Sequence, residues 1–288
     1  MIAIYKRELK SYFQSMIGYA FITFLMLFTG VYFTAYNLNA GYPYFAYTLS
    51  ASMLIFLIAV PVLTMKSFAE ERKSKTDQLL LTAPVSVTGI VLGKYLAMVT
   101  VFLIPCLLYC IYPLVIKMWG TAYLKVDYAS IFMFFLIGCV YIAVGMFLSS
   151  LTESQIIAAV STFAALLVMY LWSGLINFLP TDALGNFIGL LAILLVFSAL
   201  IYQLTKNWMI GGGLAFLSVA GCVGVYFTNQ SAFESLLYNM LQKLDFSSMF
   251  SNVMSSSLLD MSSVVLCISI VFLFVFITIQ TIQKRRWS

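Results

Sequence analysis

Histidine is absent from this chain of 288 residues, and only 9% of its residues are charged. Without histidine there is no Ser-His or Cys-His nucleophile pair and no histidine-dependent intramembrane chemistry, so catalysis within the chain is not expected. Cys106 and Cys110, four apart on one helix face, also lack the imidazoles or carboxylates that would complete a metal site. With Cys139, Cys222 and Cys267 they fall inside apolar runs and read as packing residues. Charge is missing where it would matter for ion movement. No long apolar run has Asp, Glu, Lys or Arg in its central part. A charge there costs about 3 kcal/mol on insertion scales and is kept where an ion path needs it, so proton relays and charged selectivity rings are disfavoured. A nucleotide loop is missing too. Gly89-Ile90-Val91-Leu92-Gly93-Lys94-Tyr95 is one residue short in its glycine spacing, and Tyr95 stands where a hydroxyl would hold magnesium. Gly89 and Gly93 instead form a small-xxx-small face that lets a neighbouring helix approach. No cofactor, metal or nucleic-acid partner is expected.

What is present is apolar: 63% of the residues are hydrophobic, far from a soluble chain with about a quarter of its residues charged. At about 20 apolar residues per crossing, the chain reads as an all-α polytopic membrane protein of about eight spans. They cover residues 17–36, 47–65, 87–116, 129–150, 156–178, 187–204, 209–227 and 264–282, and the pair over 187–227 reads as two spans or as a re-entrant hairpin. With the N-terminus in the cytoplasm, the inside holds Lys6, Arg7, Lys10, Lys66, Arg72, Lys73, Lys75, Lys94, Lys206, Lys284, Arg285 and Arg286. The outside holds Lys117, Lys125 and Lys243 alone, so the positive-inside rule places both termini in the cytoplasm. Residues 1–16 carry Ile2, Tyr5, Leu9, Tyr12, Phe13 and Met16 on one helical face and Lys6, Arg7, Lys10 and Gln14 on the other. That pattern suits an interfacial helix on an anionic leaflet, against which stands a frayed basic terminus. Residues 228–263 form the one sizeable outside segment. Phe233, Leu236, Leu237, Met240 and Leu244 predict a helix over 232–244, flat on the outer leaflet or packed over the outer mouth, followed by a Ser-rich stretch.

The densest run of inside charge is the insert over residues 66–86. Ser67-Phe68-Ala69-Glu70 fits a capping box, Thr76, Leu79, Leu80 and Ala83 share a helical face, and Pro84 stops the helix before Ser86 or Thr88 caps the next span. Two readings stand. One is a basic loop held by phospholipid headgroups; the other is a rod that transmits force from a soluble partner to two spans and so gives Glu70, Glu71 and the leucines a role.

The run Phe68-Ala69-Glu70-Glu71-Arg72-Lys73-Ser74-Lys75-Thr76-Asp77-Gln78-Leu79-Leu80-Leu81-Thr82-Ala83-Pro84-Val85-Ser86, followed by Leu92-Gly93-Lys94-Tyr95, resembles the cytoplasmic signature of type-2 ABC transporter permeases. Ser149-Ser150-Leu151-Thr152-Glu153-Ser154-Gln155 and the terminal Arg285-Arg286-Trp287 add to the likeness, which is strongest to the gliding-motility-associated subgroup. The likeness covers residues 1–178 and 232–288. Two departures stand out. Ser74-Lys75 occupies a place where the family usually has glycine before the threonine, and the 187–227 pair adds to a six-span core. The resemblance implies a permease subunit of an ATP-driven exporter in a bacterial cytoplasmic membrane, paired with a second permease chain as a homo- or heterodimer. A cytosolic ABC ATPase would hydrolyse ATP and dock on the insert. Glu70, Glu71, Arg72, Thr76, Leu79, Leu80 and Pro84 would contact that ATPase or position the contact, and residues 1–16 would be the connecting helix. An ion-coupled secondary transporter using breaks at Pro61, Pro105, Pro113 and Gly211-Gly212-Gly213, or a membrane scaffold that moves no solute, are the alternatives.

Overall fold

The computed structural model describes residues 1–76, 86–180, 182–205, 219, 234–256 and 260–287. The chain divides into two compact units, one of Met1–Tyr170 with Phe246–Ser288 and one of Leu171–Asp245. Among the described residues, Ile17–Asn39, Ala46–Lys73, Val87–Trp119, Leu124–Leu151 and Met261–Arg285 are long and apolar enough to cross a membrane.

In the first unit the helices are α1 (Ile2–Gln14), α2 (Ile17–Phe33, continued by a π turn Thr34–Asn39), α3 (Ala46–Thr64), α4 (Ala69–Lys73), α5 (Val87–Tyr109), α6 (Tyr112–Trp119), α7 (Leu124–Leu151) and α8 (Gln155–Tyr170). The second unit contributes α9 (Trp172–Ile176), α10 (Ala183–Thr205) and α11 (Leu236–Gln242), after which α12 (Phe246–Ser256) and α13 (Met261–Trp287) return to the first. The span expected over 156–178 is thus divided at Leu171, between α8, which ends at Tyr170, and α9, which begins at Trp172. In the second unit, the Leu237 N–H donates to Asn186 Oδ1 at 3.0 Å, fixing α11 to the start of α10. Apart from residue 219, the expected partner span over 209–227 lies outside the described residues.

The centre of the first unit is α7, with 72% of its apolar window buried against 22% for α13 at the periphery. Phe56 of α3, Phe102 of α5, and Phe134 and Tyr141 of α7 converge, with the Phe56 ring 4.9, 5.2 and 5.8 Å from the other three. The absence of a side chain at Gly138 makes room for them, since a Cβ there would lie 2.2 Å from Phe102 Cε1.

Both ends of α7 also cap other helices. Asp127 Oδ1 accepts the Phe45 N–H at 2.8 Å at the start of α3. At the far end, Ser149 Oγ accepts the N–H groups of Phe68 and Ala69 at 3.3 and 3.2 Å, satisfying two first-turn donors of α4. The capping box expected from Ser67 therefore does not form. Ser67 Oγ is buried with no hydrogen-bond partner among the described residues, and Glu70 turns to Lys66 instead, at 3.4 Å. Ser86, by contrast, caps α5 as its sequence position suggests, accepting the Gly89 N–H at 3.2 Å.

Two further expectations change. The Ser-rich stretch after residue 245 forms α12, whose Phe246, Met249, Phe250 and Val253 follow helical spacing and are buried in the first unit. Serines on its other positions dilute the pattern that marks it. On α1 the inward stripe is Ile4, Glu8 and Tyr12, while Ile2 and Met16, placed by spacing on the apolar face, are 70% and 76% exposed.

Candidate functional site

The stripe on α1 can include a carboxylate because counter-charges meet it. Lys94, on the second turn of α5, is 1% exposed, and its Nζ lies 3.1 Å from Glu8 Oε1 and 2.9 Å from Glu71 Oε1. Arg7 Nη2 contacts the same two oxygens at 2.9 and 2.7 Å. Two cationic nitrogens and two carboxylate oxygens thus alternate around a square, neutral as a whole. The Phe68 ring, its centroid 5.2 Å from Nζ, closes one side of the ammonium. Desolvating Lys94 alone would cost several kcal/mol, on the order of the penalty for any single buried ion, and the two carboxylates offset it.

The square joins α1 through Arg7 and Glu8, α4 through Glu71 and α5 through Lys94. Close packing reinforces the α1–α5 side: a Cβ on Gly93 would lie 3.1 Å from Ile4 Cγ2, and one on Gly89 3.8 Å from the Met1 nitrogen. The helix that approaches the Gly89–Gly93 face is therefore α1. Tyr12 adds a tie to α3, donating its phenol proton to the Leu63 carbonyl at 3.2 Å. Burial pushes the Tyr12 phenol far above its ordinary pKa, with the charges of Glu8, Glu71 and Glu70 adding, so it stays a donor.

Arg72 ties α4 to α7. Its side chain is 6% exposed, and Nη1 donates to the carbonyls of Ser150 and Thr152 at 2.5 and 3.0 Å, with Glu153 3.8 Å from Nη2. Those carbonyls are unpaired at the C-terminal end of α7, where the helix dipole also favours a cation.

The end of α4 is a Schellman turn. The Lys75 N–H bonds the Arg72 carbonyl at 3.1 Å and the Thr76 N–H bonds the Glu71 carbonyl at 2.9 Å, with Lys75 left-handed at φ 56°. Glycine adopts this left-handed conformation without strain, and here Lys75 holds it. Thr76 is exposed there, its hydroxyl 3.0 Å from Ser74 Oγ. Leu79, Leu80 and Pro84 lie outside the described residues.

Of the expected insert residues, the structure turns Glu71 and Arg72 inward and leaves Glu70 and Thr76 at the surface. Glu8, Lys94, Ser149 and Ser150 join them with no sequence expectation of a role. One signal was available for Lys94: a lone cation a few residues into an apolar run marks a site with a partner. Glu8 is a single acid among Lys6, Arg7 and Lys10, and nothing local distinguishes it.

A model of the family described as ABC-2 family transporter protein matches residues 33–279. No curated protein and no solved structure matches the chain.

Proposed function

The chain belongs to the ABC-2 transporter family, and from that premise we propose that it is the permease half of an ATP-driven exporter, with α4 as the element through which a cytosolic ATPase moves the spans. Family membership implies an ABC ATPase partner and a place in the membrane. Within the family our reading places the chain near the gliding-motility-associated permeases, in a bacterial cytoplasmic membrane with both termini inside, and pairs it with a second permease chain.

One observation carries the coupling role. The five-residue α4 is held to α1 and α5 by the Arg7–Glu8–Glu71–Lys94 square and to α7 by Arg72 and Ser149. A push on α4 would therefore reach three neighbouring helices, besides α3 to which the chain joins it. In this reading Glu71 and Arg72 position α4, and Glu70, Thr76, Leu79, Leu80 and Pro84 belong to the face that meets the ATPase. Closure of the ATPase on nucleotide would shift α4 and tilt the spans around it, changing which side of the membrane the dimer cavity faces.

Co-purification in detergent with the ATPase of the same locus tests this. The wild type is expected to retain the ATPase, and a Glu70→Ala, Leu80→Ala variant to lose it while eluting as a folded protein. A wild type that retains no ATPase would end the reading.

A further inference from the structure

Folding sorts most charges of α1 and α4 by sign, the exceptions being Arg72, turned inward onto the end of α7, and Glu70, paired with Lys66 at the surface. Glu8 and Glu71 turn inward onto Lys94, whereas Lys6, Arg7, Lys10, Lys73 and Lys75 stay exposed. Two segments of mixed charge in sequence thus present a basic face.

Between α1 and α4 this face encloses a cleft of about 390 Å³, where Arg7, Lys10 and Lys66 meet the hydroxyls of Ser11, Ser74 and Thr76. Cations with hydroxyl donors are the set that holds a phosphate. The acids lining the cleft are already engaged, Glu8 and Glu71 by Lys94 and Arg7 and Glu70 by Lys66, which leaves Lys10 and the outer part of Arg7, whose side chain is 56% exposed, to meet a ligand. No ion pair among the described residues engages Lys10.

Depth favours a lipid as the source of that phosphate. Lys94, which also lines the cleft, is the eighth residue of α5, about 10 Å along the helix from its start, so the cleft reaches the level at which a span that begins at the water boundary enters the lipid. Ile2 and Met16 at the two ends of α1 are 70% and 76% exposed, and Tyr19 just beyond is 57% exposed. A soluble partner in the cleft would leave those apolar surfaces in water; acyl chains would cover them. We propose that the α1–α4 cleft binds the headgroup of an anionic phospholipid, its phosphate held by Arg7 and Lys10 and its chains lying along the exposed apolar residues flanking α1. The site requires α1 at a membrane surface and no ATPase, so its failure would leave the permease reading intact.

The test uses the full chain purified in mild detergent and stripped of lipid. It is titrated separately with dioleoyl phosphatidylglycerol, dioleoyl phosphatidylcholine and glycerol 3-phosphate, with bound ligand read by native mass spectrometry. Phosphatidylglycerol is expected to bind at a site that phosphatidylcholine does not fill. Converting the loss of juxtamembrane cations to affinity, Lys10→Gln should weaken it roughly fivefold and Arg7→Gln/Lys10→Gln roughly thirtyfold. Lys10 lies outside the charge square, so its variant keeps the fold if the double variant does not. Equal binding of the two lipids, or an unchanged affinity in Lys10→Gln, would overturn the proposal. Glycerol 3-phosphate binding as tightly as the lipid would make this a free-phosphate site and would overturn it too. If the variants instead lost a co-expressed ATPase with lipid binding unchanged, the basic face would belong to an acidic segment of that partner.

Discussion

Methionine at position 94 would keep the length of the lysine and lose its charge, leaving the Oε1 atoms of Glu8 and Glu71 to share Arg7 alone. Breaking a buried ion network from one side costs about 3–5 kcal/mol, so Lys94→Met is expected to lower the melting midpoint in detergent sharply. Lys94→Met/Glu8→Gln restores the balance of charge and should recover most of that loss. If the double variant melts no higher than the single one, packing at Lys94 and not charge is what the network supplies. Lys75 sets the opposite expectation. Its φ of 56° is a conformation glycine adopts without strain, so Lys75→Gly should raise stability by about 1 kcal/mol. A lower melting midpoint in that variant would mean that the gain in unfolded-chain freedom outweighs the relief.

α4 shows how little of an element's stability need be its own. A helix of five residues is far below the length that persists alone in water. Its first amides are satisfied by Ser149 and its middle is held by Arg72 and Glu71, all through contacts to other helices. Ser149→Ala should therefore remove about 0.5–2 kcal/mol, the usual worth of a cap, from α4. Hydrogen exchange is the suitable measurement: amides of Phe68 and Ala69 should exchange faster, with the middle of α7 unchanged. Uniform acceleration across α7 would instead mean that the serine supports the whole bundle. The same dependence explains why the capping box at Ser67 was misleading. The motif is locally valid, but a hydroxyl from α7 occupies the place, and local spacing carries no information about an acceptor some eighty residues away.

At the scale of the whole molecule, the charge square and the Gly93–Ile4 contact tie α1 to α5, and the two are expected to move as one body. A Cβ built on Gly93 lies 3.3 Å from Ile4 Cβ, within a few tenths of an ångström of the roughly 3.5–4.5 Å that a disulfide spans. Ile4→Cys/Gly93→Cys, oxidised after purification, should leave ATP turnover of the assembled transporter within about twofold of the reduced protein, a free-energy change smaller than the energy of one surface contact. Strong inhibition that dithiothreitol reverses would show that α1 and α5 separate during the cycle.

The apolar runs by themselves determined that this chain is helical and membrane-embedded, because a bilayer core admits few backbone solutions and about 20 uncharged residues in a row already state one. The insert was legible for a related reason: charge concentrated between two such runs has to stand outside the hydrocarbon. Ser86 could be read as a cap because its donor lies three residues away. Tertiary structure alone decided which charges face outward. Glu70 and Glu71 are neighbours in sequence, yet one pairs at the surface with Lys66 and the other is drawn inward by Lys94 and Arg7. Glu8 carries no local mark and α12 lies hidden among serines because a residue's inward turn depends on what meets it there. Lys94, which lowers the cost of burying both Glu8 and Glu71, arrives from a distant part of the chain, so its effect belongs to the fold and not to either segment.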